Sequence, residues 1–155
     1  MKSNVVDETD INILSKLMHD AKITYAEIGK QLYISAGTVH VRIKKMTEAG
    51  IILNTQMQVD YTKLGYDITA FLGIYLEKSN LYEEVSKQIG MIPEVVEAHY
   101  TTGTYSIFAK VMATSTDHLR KIISDNIQKI EGIQRTETFI SLHKSMERPL
   151  TLVSP

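Results

Sequence analysis

The chain of 155 residues is 43% hydrophobic and 23% charged, with a formal net charge of -1, a balance that reads as soluble and globular, either one ordinary domain or two small ones. It has no cysteine, which excludes thiol catalysis, thiolate metal sites and disulfides together and fits a reducing cytoplasm. Up to residue 60 seven Lys/Arg face seven Asp/Glu, and beyond it ten face eleven, so attraction to phosphate must come from a local patch.

The opening segment, Met1-Lys2-Ser3-Asn4-Val5-Val6-Asp7, turns acidic before an apolar run could become a signal peptide. No stretch approaches the roughly 18 apolar residues that a span requires. The expectation is a cytoplasmic protein with no membrane partner. Asp7 caps a first helix, with Glu8 and Asp10 in the turn where the helix dipole favours anions. Ile11, Leu14, Leu17 and Met18 recur along it at helical spacing. Thr24-Tyr25-Ala26-Glu27 matches a capping box, in which Thr24 and Glu27 satisfy free amides reciprocally. It opens a second helix with Ile28 and Leu32 inward.

Tyr33 and Ile34 alone separate Leu32 from Ser35, so the next helix follows through a tight turn. Ser35 caps that third helix and Gly50 ends it. Val39, Ile43 and Met46 form its inward stripe. Lys44, Lys45, His40 and Val41 point away, with Arg42 on the flank. Cations on a helix are usually only a solvated face, but a valine among them suits a major groove, where thymine methyls offer apolar contact. Two short helices joined tightly, the second outwardly cationic, make a helix-turn-helix. Ser35, Thr38, His40, Val41, Arg42, Lys44 and Lys45 are therefore the predicted DNA contacts, the cations mainly at phosphates or guanine edges.

From Gln56 to Asp60 the pattern alternates, which predicts a wing or linker strand. Asp60 to Tyr66 reads as a turn closing the first domain, and the division expected is 1–65 and 66–155. Beyond it, Ile68 to Glu77 is a strand with aliphatics on one face and Phe71 and Tyr75 on the other. Ser79 or Asn80 caps a helix striped by Leu81, Val85 and Ile89. Val95 to Thr102 and Tyr105 to Ala113 form a hairpin about a tight turn at Gly103-Thr104. Ser115 caps a helix with Leu119, Ile122, Ile123, Ile127 and Ile130 inward and Gly132 as its stop. Ile133 to Leu142 is the last strand. The fold class is α+β: an N-terminal winged helix-turn-helix and a C-terminal ferredoxin-like βαββαβ sandwich, in which two helices cover one face of an antiparallel sheet. The other face carries Phe71, Tyr75, His99, Tyr105 or its neighbours, and Phe139, a patch of the kind that marks a protein interface. A sheet-to-sheet homodimer would give two helix-turn-helix units for two DNA half-sites.

Asp10-Ile11-Asn12-Ile13-Leu14, Ser35 to Gly50 with Arg42-Ile43 inside it, Leu64-Gly65-Tyr66 and Gly103-Thr104-Tyr105 come in the order of the landmarks of the Lrp/AsnC (feast/famine) regulators. The chain resembles that family over nearly its whole length. Thr101 to Phe108 and Ile133 to Thr138 are most similar to its asparagine-responsive branch. The resemblance implies a transcriptional regulator that binds double-stranded operator DNA through the winged helix-turn-helix. It also implies an effector domain that forms dimers and then higher rings, often octamers, with amino acids bound at contacts between dimers. Many relatives carry an acidic residue where this chain has Ser106, and proline where it has Tyr61.

An amino-acid site needs donors for a carboxylate, acceptors for an ammonium and a partner for the side chain, because unpaired buried polar groups are costly. Tyr100, Thr101, Gly103, Thr104, Tyr105 and Ser106 cluster around one hairpin, where Gly103 permits positive φ. Gln128 offers an amide that pairs with the amide of asparagine as donor and acceptor. Asparagine or a similar small polar amino acid is the expected effector. Each of these residues also has an ordinary reading as strand or turn. No two of His19, His40, His99, His118 and His143 stand at metal-ligand spacing. With no phosphate-cradling glycine loop and no nucleophile motif, neither an enzyme nor a metal or cofactor is expected. The alternative is an amino-acid-sensing module that acts through a protein partner, since ferredoxin-like folds host many functions.

Overall fold

The computed structural model describes residues 6–153; Met1 to Val5, part of the opening segment read above, lie outside them. The described residues up to Gln58, with those from Met146 onward, form one compact unit, and Val59–Ser145 forms the other. The division expected at residue 65 assigns the tail to the second unit, whereas its packing groups it with the helices.

The helical unit contains α1 (Glu8–His19), α2 (Tyr25–Leu32) and α3 (Ala36–Glu48). α1 opens on a reciprocal box: Asp10 N donates to Asp7 Oδ1 at 2.9 Å and Asp7 N to Asp10 Oδ2 at 3.1 Å. Its inward face is Ile13 with Leu14 and Leu17, not Ile11 and Met18 as the spacing suggested. Asp10, Ile13, Leu14 and Leu17 stand at the i, i+3, i+4, i+7 positions of one stripe, so a carboxylate occupies a core position. At the start of α2 only half of the expected box forms. Thr24 Oγ1 accepts from Glu27 N at 3.1 Å, while the Glu27 carboxylate accepts from Gln31 Nε2 at 3.1 Å.

α2 passes into α3 through Tyr33, which holds a left-handed φ of 58°, a conformation costing a non-glycine residue about 1 kcal/mol. Ile34 N donates to Gly29 O at 2.9 Å and locks the turn. Ser35 Oγ then accepts from Thr38 N at 3.0 Å. At the far end Gly50 takes φ 70°, and Ile51 N returns to Met46 O at 2.9 Å, the usual way a glycine satisfies last-turn carbonyls. Ile13, Ile28, Val39 and Met46 make the core, each contributing roughly 2 kcal/mol by burial. The expected wing strand at 56–60 does not form: residues 53–60 join no ladder, and Leu53 and Met57 are exposed. An alternating segment becomes a strand only with a partner, and none of the described residues supplies one.

The second unit opens with a turn over Tyr61–Leu64. It then contains β1 (Ile68–Leu76), α4 (Tyr82–Ile89), β2 (Val95–Tyr100), β3 (Ile107–Ala113), α5 (Thr116–Lys121) and β4 (Ile133–Ile140). The sheet is antiparallel in the order β2-β3-β1-β4. Neither Ser79 nor Asn80 caps α4: a tight 3-10 turn over Ser79–Leu81 precedes it, without a side-chain cap. Ser115 does cap α5, its hydroxyl oxygen accepting from His118 N at 3.1 Å. That helix widens into a π-helical stretch, Ile122–Ile127, with Gln128 N donating to Ile123 O at 2.8 Å. Leu72, Ile74, Ile107 and Val111 meet Val85, Ile89, Leu119, Ile122 and Ile127 under the two helices. Strand alternation sends Phe71, Tyr75, Phe108, Glu137 and Phe139 to the opposite, helix-free face.

Candidate functional site

On α3 the buried side chains Val39 and Met46 fix which residues face out. Val41 is 65% exposed among Lys44, Lys45 and His40. Lys44 Nζ lies 3.8 Å from Glu48 Oε1, with both side chains largely in water, so Lys44 keeps its reach. His40 packs its ring at 5.8 Å from that of Tyr25. Ser35 Oγ serves the helix cap and also meets Thr38 Oγ1 at 2.8 Å, so these two hydroxyls partly satisfy each other.

Arg42 differs from the other expected DNA contacts. Its Nη1 donates to Asp7 Oδ2 at 2.7 Å and to Asp10 Oδ1 at 2.9 Å. The Arg42 hydrogen bond holds the Asp7 carboxyl below the usual carboxylate range, and the two carboxylates in turn push the guanidinium up. Arg42, expected on the flank of the helix, is thus tied to α1. Asp7, Asp10, Ser35, Gly37, Thr38, Val41, Arg42 and Lys45 line an open depression of about 630 Å³ along the start of α3.

In the sheet unit the expected effector residues separate. β2 ends at Tyr100 and β3 begins at Ile107, so the connection is wider than a two-residue turn at Gly103-Thr104. Gly103 is exposed and is not among the positive-φ glycines, Gly50, Gly65 and Gly132; the wide loop does not require it. Thr104 is exposed too. Thr101 N donates to Ser106 O at 3.0 Å, the Thr101 hydroxyl donates to Tyr105 O, and Ser106 N donates to Ile74 O at 2.9 Å. Tyr100 stacks on Tyr82 at 4.1 Å. Gln128 Nε2 donates to Thr136 Oγ1 at 2.9 Å. Tyr100, Ile107, Ile74 and Thr136 form one cross-sheet row, so Tyr100 and Thr136 share the helix-covered face at opposite edges, about 14 Å apart at the backbone.

Tyr105 packs on the open face, among the aromatics expected there. Its ring lies 5.3 Å from Tyr75, 5.8 Å from Phe108 and 6.1 Å from Phe139. Its hydroxyl donates to Glu137 Oε2 at 2.9 Å, and Tyr75 donates to Glu137 Oε1 at 3.0 Å. Arg135 donates to the same Oε1 at 3.0 Å and sits 3.7 Å above the Tyr75 ring. Sequence reasoning missed Glu137, because the two tyrosines that hold it are 32 and 62 residues away. Hydrogen bonds from Tyr105 and Tyr75 hold its carboxyl below the usual range. Tyr105 is pushed up by Glu137, and Tyr75 by desolvation and then Glu137.

The signs give two wings. A lowered carboxyl stabilises the fold above the ordinary carboxylate range and loses that contribution as pH falls through its folded value. A raised phenol stabilises it below the ordinary phenol value and loses that contribution as pH rises toward the folded one. Thermal unfolding of the sheet unit is expected to decline on both sides of a plateau. Replacing Tyr75 and Tyr105 together by phenylalanine should flatten the alkaline wing and make the acid wing shallower; unchanged wings would refute the assignment.

No group of three or more His, Cys, Asp or Glu among the described residues could hold a metal ion. None of their helices is long and apolar enough to cross a membrane.

A helix-turn-helix with an outward cationic helix, in one chain with an open-faced βαββαβ sandwich, defines a DNA-binding regulator with a separate effector domain. Residues 6–52 match a winged helix-turn-helix DNA-binding model, and residues 69–151 match the Lrp/AsnC ligand binding domain. The regulatory protein AsnC of Haemophilus influenzae is 45% identical over 145 residues, covering 94% of this chain and 97% of that protein. AsnC of Escherichia coli K12 is 43% identical over 150 residues, covering 97% and 99%. The solved E. coli AsnC structure superposes with a TM-score of 0.90 at 42% identity, covering 95% of this chain and 99% of that one. A Neisseria meningitidis transcriptional regulator solved as a complex with L-Met shares the fold, with a TM-score of 0.87 at 19% identity over 92% of this chain and 94% of that one. The chain belongs to the Lrp/AsnC family, and it is a DNA-binding transcriptional regulator that responds to an amino acid.

Proposed function

We propose that α3 reads operator DNA through Ser35, Thr38, His40, Val41, Arg42, Lys44 and Lys45. The observation that carries this is the exposed Val41 between accessible cations on a helix whose other face is locked into the core. Ser35 and Thr38 stand at the N-terminal end, where backbone amides favour phosphate, and Val41 and the lysines follow along the groove. The effector is asparagine or a similar small polar amino acid. It is held by Tyr100, Thr101, Gly103, Thr104, Tyr105, Ser106 and Gln128, contributed by more than one copy of the chain. The 14 Å separation within one protomer supports such a shared site, and the L-Met in the Neisseria complex supports an amino-acid ligand. Homodimers close over the aromatic sheet face, four dimers make an octamer, and the protein works in the cytoplasm without a cofactor or catalytic role.

If each subunit of a dimer neutralises about three phosphates, the log-log salt slope for DNA binding should be near -5. Lys44→Ala with Lys45→Ala is expected to flatten that slope and weaken binding while sedimentation stays unchanged. Unaltered affinity would move the interface to another surface. Calorimetry with the twenty amino acids identifies the effector, and heat from none of them would leave a regulator without one.

A further inference from the structure

Two carboxylates lie where a DNA-binding surface has least use for them. Asp7 and Asp10 line the same depression as Ser35, Gly37, Thr38, Val41 and Lys45, and they flank the guanidinium of Arg42. The Asp10 side chain is only 6% exposed, and its two oxygens are taken by Asp7 N and Arg42. The Asp7 oxygens are taken by Asp10 N and Arg42. Arg42 therefore makes both of its contacts through the single atom Nη1. Its Nη2 and Nε have no hydrogen-bond partner among the described residues, and its side chain is 30% exposed in the wall of the depression.

From this geometry we infer that Asp7 and Asp10 are positioning residues for DNA recognition, holding Arg42 by one nitrogen so that its other donors receive a backbone phosphate in one orientation. The inference rests on the DNA-reading function of α3 and adds a purpose for its acidic neighbours. A guanidinium anchored at one end is already ordered, so it makes a directional contact that a free lysine does not. Phosphate contacts set register, and register decides whether Val41 and Lys45 meet the right base edges. The two carboxylates meanwhile offset the charges of Arg42 and Lys45 in the depression, which lowers adhesion to arbitrary duplex. Recognition is thus sharpened by suppressing the wrong complex as well as by favouring the right one.

The test uses the full chain with two duplexes: one that the wild type selects from a random pool, and a scrambled duplex of the same composition. Selection of nothing by the wild type would sink the DNA-reading function itself, and this inference with it. Given a selected duplex, Asp7→Asn is expected to weaken binding to it about tenfold and to leave binding to the scrambled duplex equal or tighter. The salt slope on the scrambled duplex should steepen by about one unit per subunit as Arg42 is freed. Arg42→Lys keeps the charge without the fork and should lose the selected duplex to a similar extent. Asp7 is half-exposed, so this variant keeps the test open where Asp10→Asn fails to fold. Equal loss on both duplexes with an unchanged slope, or full discrimination by Arg42→Lys, would overturn the inference and leave the cluster a structural tie between α1 and α3.

Discussion

Gly29→Ala is expected to unfold the helical unit on the order of 15 °C below the wild type, from a loss of about 3 kcal/mol. A Cβ at Gly29 would stand 2.6 Å from the Ile34 carbonyl oxygen and 3.3 Å from both Ala36 N and Ser35 C. All three are backbone atoms, so no rotamer change relieves the clash. The carbonyl of Gly29 itself receives Ile34 N, so any movement also strains the bond that locks the turn. Relief comes only by parting α2 from α3, which rotates the outward face of α3 and should abolish discrimination between DNA sequences. Gly37→Ala is the control: its nearest neighbour would be Ser35 Oγ at 3.7 Å, and alanine in the first turn of α3 should stabilise, by less than the roughly 0.8 kcal/mol it brings in a helix interior. Circular dichroism melts decide the matter, and a Gly29→Ala melt matching the wild type would refute the close-approach argument.

The second large effect lies in the sheet. At Gly73 a Cβ would fall 2.3 Å from Tyr105 Cδ1 and 2.4 Å from its Cε1, inside the ring's own volume. Gly73→Ala must therefore expel the Tyr105 ring from its place between Tyr75, Phe108 and Phe139, breaking its bond to Glu137. A loss of about 2 kcal/mol is expected. Since the obstacle is one side chain, the penalty should vanish in a Tyr105→Ala background, a coupling that a double-mutant cycle measures directly. Persistence of the full penalty there would show that the glycine is needed for the strand itself. With the ring displaced, the loop from Thr101 to Ser106 loses its tether to the open face, so effector heat in calorimetry should fall along with stability.

The order of elements was readable because each announces itself locally. Ser35 and Ser115 are caps, Gly50 a stop, and the hydrophobic rhythm changes between residues 50 and 68. What failed needed information from across the chain. The true face of α1 is obscured because one of its inward positions is an aspartate, and apolar spacing alone favours Ile11 over Asp10. A polar residue in register with Ile13, Leu14 and Leu17 was the available clue, since such a residue demands a partner. That partner, Arg42, lies 32 residues away, and nothing local names it. Gly73 also left a trace, because glycine inside a strand signals close approach by another group, though not which one. Glu137 left none: an acid in an alternating strand looks like an ordinary solvent-facing residue. Residues 56–60 carried the right pattern for a strand, but pattern does not provide a neighbour to pair with.

The helix-free side of the sheet has one more consequence. Phe71, Phe108, Tyr105 and Phe139 are packed against one another on it, yet Phe139 remains 46% in contact with solvent. In the dimer proposed here, a sister copy completes their burial, so resistance to heat belongs to the population rather than to the single molecule. Dilution then withdraws part of that resistance by mass action, and the cell sets the durability of its regulator partly by how many copies it makes.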